Sequence, residues 1–145
     1  MAEIKKIRKK TVAKKPAAKK KTVRKTTPKT QPDREFALQA ARIARDRNCT
    51  DIVILNLKGL SPATNYFVIA TGTSDRQARS VADEITMNGK KTDFPRFGVA
   101  GYEKGQWILL DFVEVVVHIF NQQQRQYYNL EMLWGDAERL TIDDK

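Results

Sequence analysis

From Asp33 onward the hydrophobic positions switch between a helical period and a strand period. In REFALQAARIARDRN (34–48), Phe36, Ala40, Ile43 and Arg47 recur at spacings of three and four, one face of a helix. Asp33 supplies the N-cap. DIVILNL (51–57) is short and β-branched and reads as a buried strand. A turn segment with Gly59 and Pro62 separates it from a second strand, NYFVIATG (65–72). In TSDRQARSVADEITMNG, Ser74 and Gln77 form a capping box, and Ala78, Val81, Ala82 and Ile85 make an apolar stripe. Asn88-Gly89 stops that helix. After the loop KKTDFPR come three short strands, FGVAGYE, QWILLDF and EVVVHIF, the first two joined at Lys104-Gly105. From Asn121 a helix runs through QQQRQYYNLEMLW to Gly135, with Tyr127, Leu130 and Trp134 as its core positions and Tyr128 turned toward the surface. The order α-β-β-α-β-β-β-α predicts an α/β (α+β) fold with one mixed sheet of about five strands flanked by helices, and no internal repeat.

The stretch LLDFVEVVVHIF (109–120) is apolar enough for the centre of a sheet, yet it carries Asp111, Glu114 and His118, the only histidine. Side chains alternate across a strand. A symmetric hairpin across Phe112-Val113 sets Asp111 opposite Glu114, Leu109 opposite Val116 and Trp107 opposite His118, all on one side. Ile108, Leu110, Val115, Val117 and Ile119 fall on the other side, an unbroken apolar surface for a core under helices. Two buried, unpaired acids on the mixed side would cost several kcal/mol or shift their pKa values. An indole with a charged rim matches the make-up of a protein-binding hot spot. Two readings of the mixed side stand: a half-exposed binding patch, or a buried structural face. Phe112-Val113 is poor chemistry for a tight primed turn, which wants Gly or Asn.

Charge changes the picture, because it is unevenly placed. The net charge of the 145 residues is +10. Residues 1–34 hold eleven Lys and three Arg against Glu3 and Asp33, a surplus of twelve; residues 35–145 hold 13 basic and 15 acidic side chains, a deficit of two. Residues 1–32 therefore read as a disordered Lys-rich arm, with Pro16, Pro28 and Pro32 and little apolar area to offset chain entropy. Residues 33–140 read as the domain and 141–145 as a short C-terminal tail. Lys14, Lys15, Lys19, Lys20 and Lys21 are the expected RNA-phosphate contacts of the arm; the bland alternative is a solvated, dispensable segment. Cys49 is the only cysteine, which excludes an internal disulfide and fits a reducing compartment. No apolar run approaches a membrane span, and no hydrophobic segment follows the early lysines as in a signal peptide.

Catalytic readings are weak. Asp111 and Glu114 could form an acid–base pair, but at the edge of a tight turn and without a cleft. One His, one Cys and scattered acids make no recognisable metal set. Cys49 with His118 is a nucleophile pair on paper only, since Cys49 ends the first helix without a supporting motif. ATGTSDRQ (70–77) ends a strand and starts a helix, a place where backbone N–H groups can bind phosphate, with Arg76 and Arg79 nearby. It lacks both GxxxxGK[ST] and GxGxxG, and an ordinary capped helix is the preferred reading.

NYFVIATGTSDRQARSVADEI, GQWILLDFVEVVVHIF and YYNLEMLWGDAERL, in that order, resemble the ribosomal silencing factor family, also called Iojap, over nearly all of residues 35–140. The resemblance implies a translational repressor of the bacterial cytoplasm rather than an enzyme, without cofactor or metal. It implies binding to large-subunit ribosomal protein fourteen on the large (50S) subunit, where the domain blocks joining of the small subunit when nutrients are short. It also implies a nucleotidyltransferase-like fold without catalytic acids: Gly72-Thr73-Ser74 is followed by Asp75 and by Asp83-Glu84 within a helix. The family's partner-contacting positions match Trp107, Asp111, His118 and Tyr128. Phe112 and Glu114 complete the expected contact set, although Phe112 stands where many members have Tyr or Leu, and Val113-Glu114 where Gly-Asp is usual. Asn65 replaces a common Asp. A homodimer away from the ribosome is left open. The rival readings are a nucleotide-binding or nucleotidyltransferase-like enzyme using the ATGTS turn, and a general RNA-binding protein driven by the arm.

Overall fold

The computed structural model describes residues 31–142. The arm, including Lys14, Lys15, Lys19, Lys20 and Lys21, lies outside the described residues, as do residues 143–145. Helix α1 (Pro32–Asp46) leads into strands β1 (Thr50–Asn56) and β2 (Tyr66–Thr71), then helix α2 (Asp75–Lys91). Strands β3 (Gly98–Ala100), β4 (Trp107–Asp111) and β5 (Val115–Phe120) follow, then two short helices, α3 (Gln122–Tyr128) and α4 (Leu130–Leu133), and a last strand β6 (Glu138–Leu140). The strands form one sheet in the order β3-β4-β5-β2-β1-β6. β2 and β5 run parallel and every other neighbouring pair is antiparallel, so the sheet is mixed.

The sheet has six strands where the sequence predicts about five. ERL (138–140) pairs with β1 at the edge, and three residues, two of them charged, carry no alternation to announce them. Helix α1 begins slightly earlier than expected. Gln31 is its N-cap and Pro32 its first residue, where the missing N–H costs nothing. Asp33 is inside the helix and buried, and its carboxylate accepts from Asn65 Nδ2 at 2.8 Å, tying the helix start to the approach to β2. The inward face of α1 is Phe36, Ala37, Ala40, Ala41 and Ala44. Ile43 is only partly buried, and Arg47 points out to Glu84 at 2.6 Å.

Helix α2 starts at the Ser74 cap with one half of the capping box in place; Gln77 reaches back not to the Ser74 N–H but to the residue before it. Ser74 Oγ accepts from the Gln77 N–H at 3.0 Å, and Gln77 Oε1 accepts from the Thr73 N–H at 2.7 Å. It does not stop at Asn88-Gly89 but runs two residues further. Gly89 is there for close packing: a Cβ would lie 2.5 Å from the Phe94 carbonyl oxygen and 3.1 Å from the Phe112 ring.

Two cores result, one on each side of the sheet. Under α1 and α2 lie Ile54, Val68, Ile108, Leu110, Val115, Val117 and Ile119, together with a cluster in which Phe36 stacks on Phe94 (4.7 Å) and meets Phe112 (4.6 Å). On the other side Leu55, Leu57, Phe67, Ile69, Leu109, Val116 and Phe120 pack beneath Tyr128, Leu130 and Trp134.

Candidate partner-binding surface at the final hairpin

The β4–β5 hairpin keeps the predicted faces but not the predicted register. The observed partners are Asp111 with Val116, Leu109 with His118 and Trp107 with Phe120. Each differs by two residues from the symmetric pairing across Phe112-Val113. Because the strand period is two, a two-residue slip leaves every side chain on its original side. Ile108, Leu110, Val115, Val117 and Ile119 are accordingly all buried under the helices.

The slip comes from the turn. Phe112 N–H donates to the Val115 carbonyl at 2.9 Å, and Glu114 N–H donates to the Phe112 carbonyl at 2.9 Å, with Val113 between them at φ +73°. That is a γ-turn with its central residue in the left-handed region. Asp111 Oδ1 accepts the Val113 N–H at 2.8 Å. Glu114 is therefore a partly buried turn residue, and the residue opposite Asp111 is Val116 rather than the expected second acid.

The mixed side is largely a core. Asp111 is 0% exposed and His118 2%; His118 lies between Trp107 and Phe67, and Trp134 covers Phe67. Phe112 is 2% exposed and belongs to the opposite core, against Phe36. Of the two readings of the mixed side, Asp111 and His118 follow the buried structural face and not the half-exposed patch; Phe112, expected among the partner contacts, is buried as well. Trp107 remains partly exposed. Its indole Nε1 donates to His118 Nδ1 at 3.1 Å, one ring face lies 4.8 Å from Phe120, and Tyr128 packs against it at 4.5 Å. His118, an acceptor at Nδ1, thus orients the indole.

The helix over this side breaks at Asn129, which takes a left-handed conformation (φ +42°) and ends α3. The break resets the helical phase beyond it. Tyr127, expected in the core, is 77% exposed, whereas Leu130 and Trp134 do pack inward. Tyr127 meets Tyr128 edge-on at 4.8 Å, so an aromatic run passes from Phe120 through Trp107 and Tyr128 to Tyr127. Met132 and Leu133 are exposed on the adjoining helix. Trp107, Tyr128, Tyr102, Gln106 and Gln124 line a groove of about 660 Å³ beside this run. The signal that could have found the exposed residues is Asn129, the only residue type in QQQRQYYNLEMLW that commonly enters the left-handed region.

The other candidate chemistries do not assemble. At the ATGTS corner the Thr73 and Gln77 N–H groups are satisfied by Gln77 and Ser74. Asp83 accepts from the Tyr102 hydroxyl at 3.0 Å and Glu84 from Arg47. Cys49 lies in the core under α1 and α2, on the other side of the sheet from His118, and burial pushes its thiol up to about 11. Among the described residues no group of three His, Cys, Asp or Glu is placed to hold a metal, and no helix is long and apolar enough to cross a membrane.

Residues 28–145 match the family described as ribosomal silencing factor during starvation. A ribosomal silencing factor of Bacillus subtilis is 38% identical over 104 residues, covering 72% of this chain and 88% of that protein. A crystal structure of a Chromobacterium violaceum protein superposes with a TM-score of 0.68 at 32% identity, covering 70% of this chain and 85% of that one. A mouse relative named mitochondrial assembly of ribosomal large subunit protein 1 is 29% identical over 96 residues, covering 63% of this chain and 42% of that protein. With a family match over most of its length and relatives of this identity and fold, the chain belongs to the ribosomal silencing factor (Iojap) family.

Proposed function

We propose that this protein is a translational repressor that binds the large ribosomal subunit through large-subunit ribosomal protein fourteen and sterically blocks the small subunit. The observation that carries the reading is the half-buried pair Trp107–Tyr128, continuous with exposed Tyr127, Met132 and Leu133. Anchored aromatic rings beside a groove are what a binding hot spot contains. The hairpin residues divide the work. Trp107, Tyr128 and Glu114 meet the partner, while Asp111 holds the turn, His118 orients the indole and Phe112 fixes the hairpin to the core. A domain of this size can cover about 800 Å² of partner, a standard interface, so no chemistry beyond occupancy is needed. The deficit of two charges over residues 35–145 suits a basic ribosomal protein. The Lys-rich arm adds ribosomal RNA contact through Lys14, Lys15, Lys19, Lys20 and Lys21. On this reading the protein is a binding module and not an enzyme; the corner that could serve a nucleotide spends its Thr73 and Gln77 N–H groups on the helix cap.

Co-sedimentation with isolated large subunits tests it. Trp107→Ala, folded by circular dichroism, is expected to bind at least about tenfold more weakly, the loss of one hot-spot aromatic. Wild-type affinity in that variant would remove the assignment of this surface.

A further inference from the structure

The segment that carries Tyr128 has little to hold it in place. Helix α3 has seven residues and α4 has four, and neither has a fully buried one. Such lengths do not sustain a helix on their own. One side chain makes up for this. Arg125 is 11% exposed, and its guanidinium reaches three separate parts of the chain. Nη1 donates to the Asp51 carbonyl at 2.6 Å and to Thr71 Oγ1 at 2.8 Å. Nε and Nη2 donate to Glu131 Oε1 and Oε2 at 3.2 and 2.9 Å. Its own carbonyl accepts from Asn129 N–H at 2.9 Å, closing the α3–α4 turn.

The receiving end on the sheet is equally specific. The β1–β2 register jumps between Thr50 and Val53, and Asp51 sits in that bulge at φ +48°. Bulges re-aim backbone groups out of the ladder, and here the Asp51 carbonyl is the one Arg125 takes. Tyr128 follows Arg125 by three residues, so the two are neighbours on the helix surface. Fixing Arg125 against the sheet fixes where the Tyr128 ring lies.

We propose that Arg125 is a positioning residue for the partner-binding surface: by latching the α3–α4 turn to the β1 bulge and to Thr71, it sets Tyr128 against Trp107. The proposal rests on the reading of that surface as the ribosome-binding one. It needs an arginine and not merely a cation. A planar fork with five N–H groups can serve a carbonyl, a hydroxyl and a bidentate carboxylate together, and a lysine ammonium cannot.

The test uses the full chain. The protein has two tryptophans, so Trp134→Phe leaves Trp107 as the only indole reporter. In that background Arg125→Met is expected to red-shift the emission as Tyr128→Ala does, and Arg125→Lys to leave most of the shift in place. Large-subunit affinity should fall about tenfold in Arg125→Met. Combining Arg125→Met with Tyr128→Ala should move neither emission nor affinity further than one change alone, because the two act through one contact. Additive effects, or an unshifted emission in a folded Arg125→Met protein, overturn the latch. If Arg125→Met does not fold, Glu131→Gln and Thr71→Val each remove one arm; a small red shift in both supports the latch, and none in either overturns it. If Trp107→Ala and Tyr128→Ala bind the large subunit like wild type, the functional reading falls by itself, and the emission cycle still decides the latch.

Discussion

At the scale of single residues, the tip of the final hairpin works against its own sequence. Val113 is β-branched and sits at φ +73°, a region that costs a non-glycine residue about 1–2 kcal/mol. The buried Asp111 carboxylate, taking the Val113 N–H, holds it there. Glycine adopts that conformation freely and loses about 0.5–1 kcal/mol in extra chain entropy. The strain term is the larger, so Val113→Gly should stabilise the protein by roughly 0.5–1 kcal/mol, measured as a higher urea midpoint. A second residue-scale prediction concerns alkaline pH. Burial pushes the Cys49 thiol up to about 11, and burial first, then the nearby Asp33 and Glu138 carboxylates, raises the Tyr66 phenol. Both groups hold their protons longer in the folded chain than in the unfolded one. The Cys49 contribution is complete below the ordinary thiol range and is lost as pH rises from about 9 toward 11; that of Tyr66 is complete below the ordinary phenol value of 10.0 and is lost above it. Urea midpoints across that range should fall, and Cys49→Ala should flatten part of the fall; a parallel decline in the variant would show that the thiol takes no part.

At the scale of elements, the loop between β3 and β4 is built on close backbone approach. Gly101 has φ +76°, and a Cβ there would lie 2.0 Å from the Trp107 carbonyl oxygen. Gly59 has φ +85° with nothing within 4 Å. The pair separates clash from strain. Gly59→Ala should cost about 1 kcal/mol, and Gly101→Ala about 2 kcal/mol or more because Trp107 must move. Equal losses in thermal or urea unfolding would mean that the backbone around Gly101 relaxes freely. The same elements show what the sequence can reveal. The two faces of the hairpin are legible because alternation survives any slip by an even number, so the wrong register still gives the right sides. What covers a face is a different question. A helical period continued straight through Asn129 ignores the left-handed turn that resets its phase; it places Tyr127 inside and leaves the cover over Phe67 and His118 out of view. Asn88-Gly89 reads as a stop, because no local rule shows that Gly89 must admit the Phe94 carbonyl. Strand β6 is too short and too polar to announce itself. Arg125 carries no signal at all: its three partners lie six, 54 and 74 residues away in sequence.

At the scale of the whole molecule, charge and aromatic surface are separated along the chain. Residues 1–34 carry a surplus of twelve positive charges and the remainder a deficit of two, while Trp107 and Tyr128 lie near the other end of the sequence. If the arm meets ribosomal RNA while the hairpin meets protein, the two act as tethered modules, each raising the effective concentration of the other. The salt dependence of binding then belongs to the arm, because released counterions follow neutralised phosphates, whereas the aromatic surface is nearly indifferent to salt. Deleting residues 1–30, which leaves the Gln31 cap of α1 in place, separates the contributions. Large-subunit affinity should fall, and the slope of log K against log salt should flatten by roughly one unit for each phosphate no longer neutralised. Trp107→Ala in the full chain should instead lower affinity with the slope unchanged. The two effects should add in free energy, because the surfaces are distinct. An unchanged affinity and slope after deletion would make the arm a dispensable appendage. A deleted chain that no longer binds at all, beside a Trp107→Ala chain that binds normally, would transfer the whole activity from the hairpin to the arm.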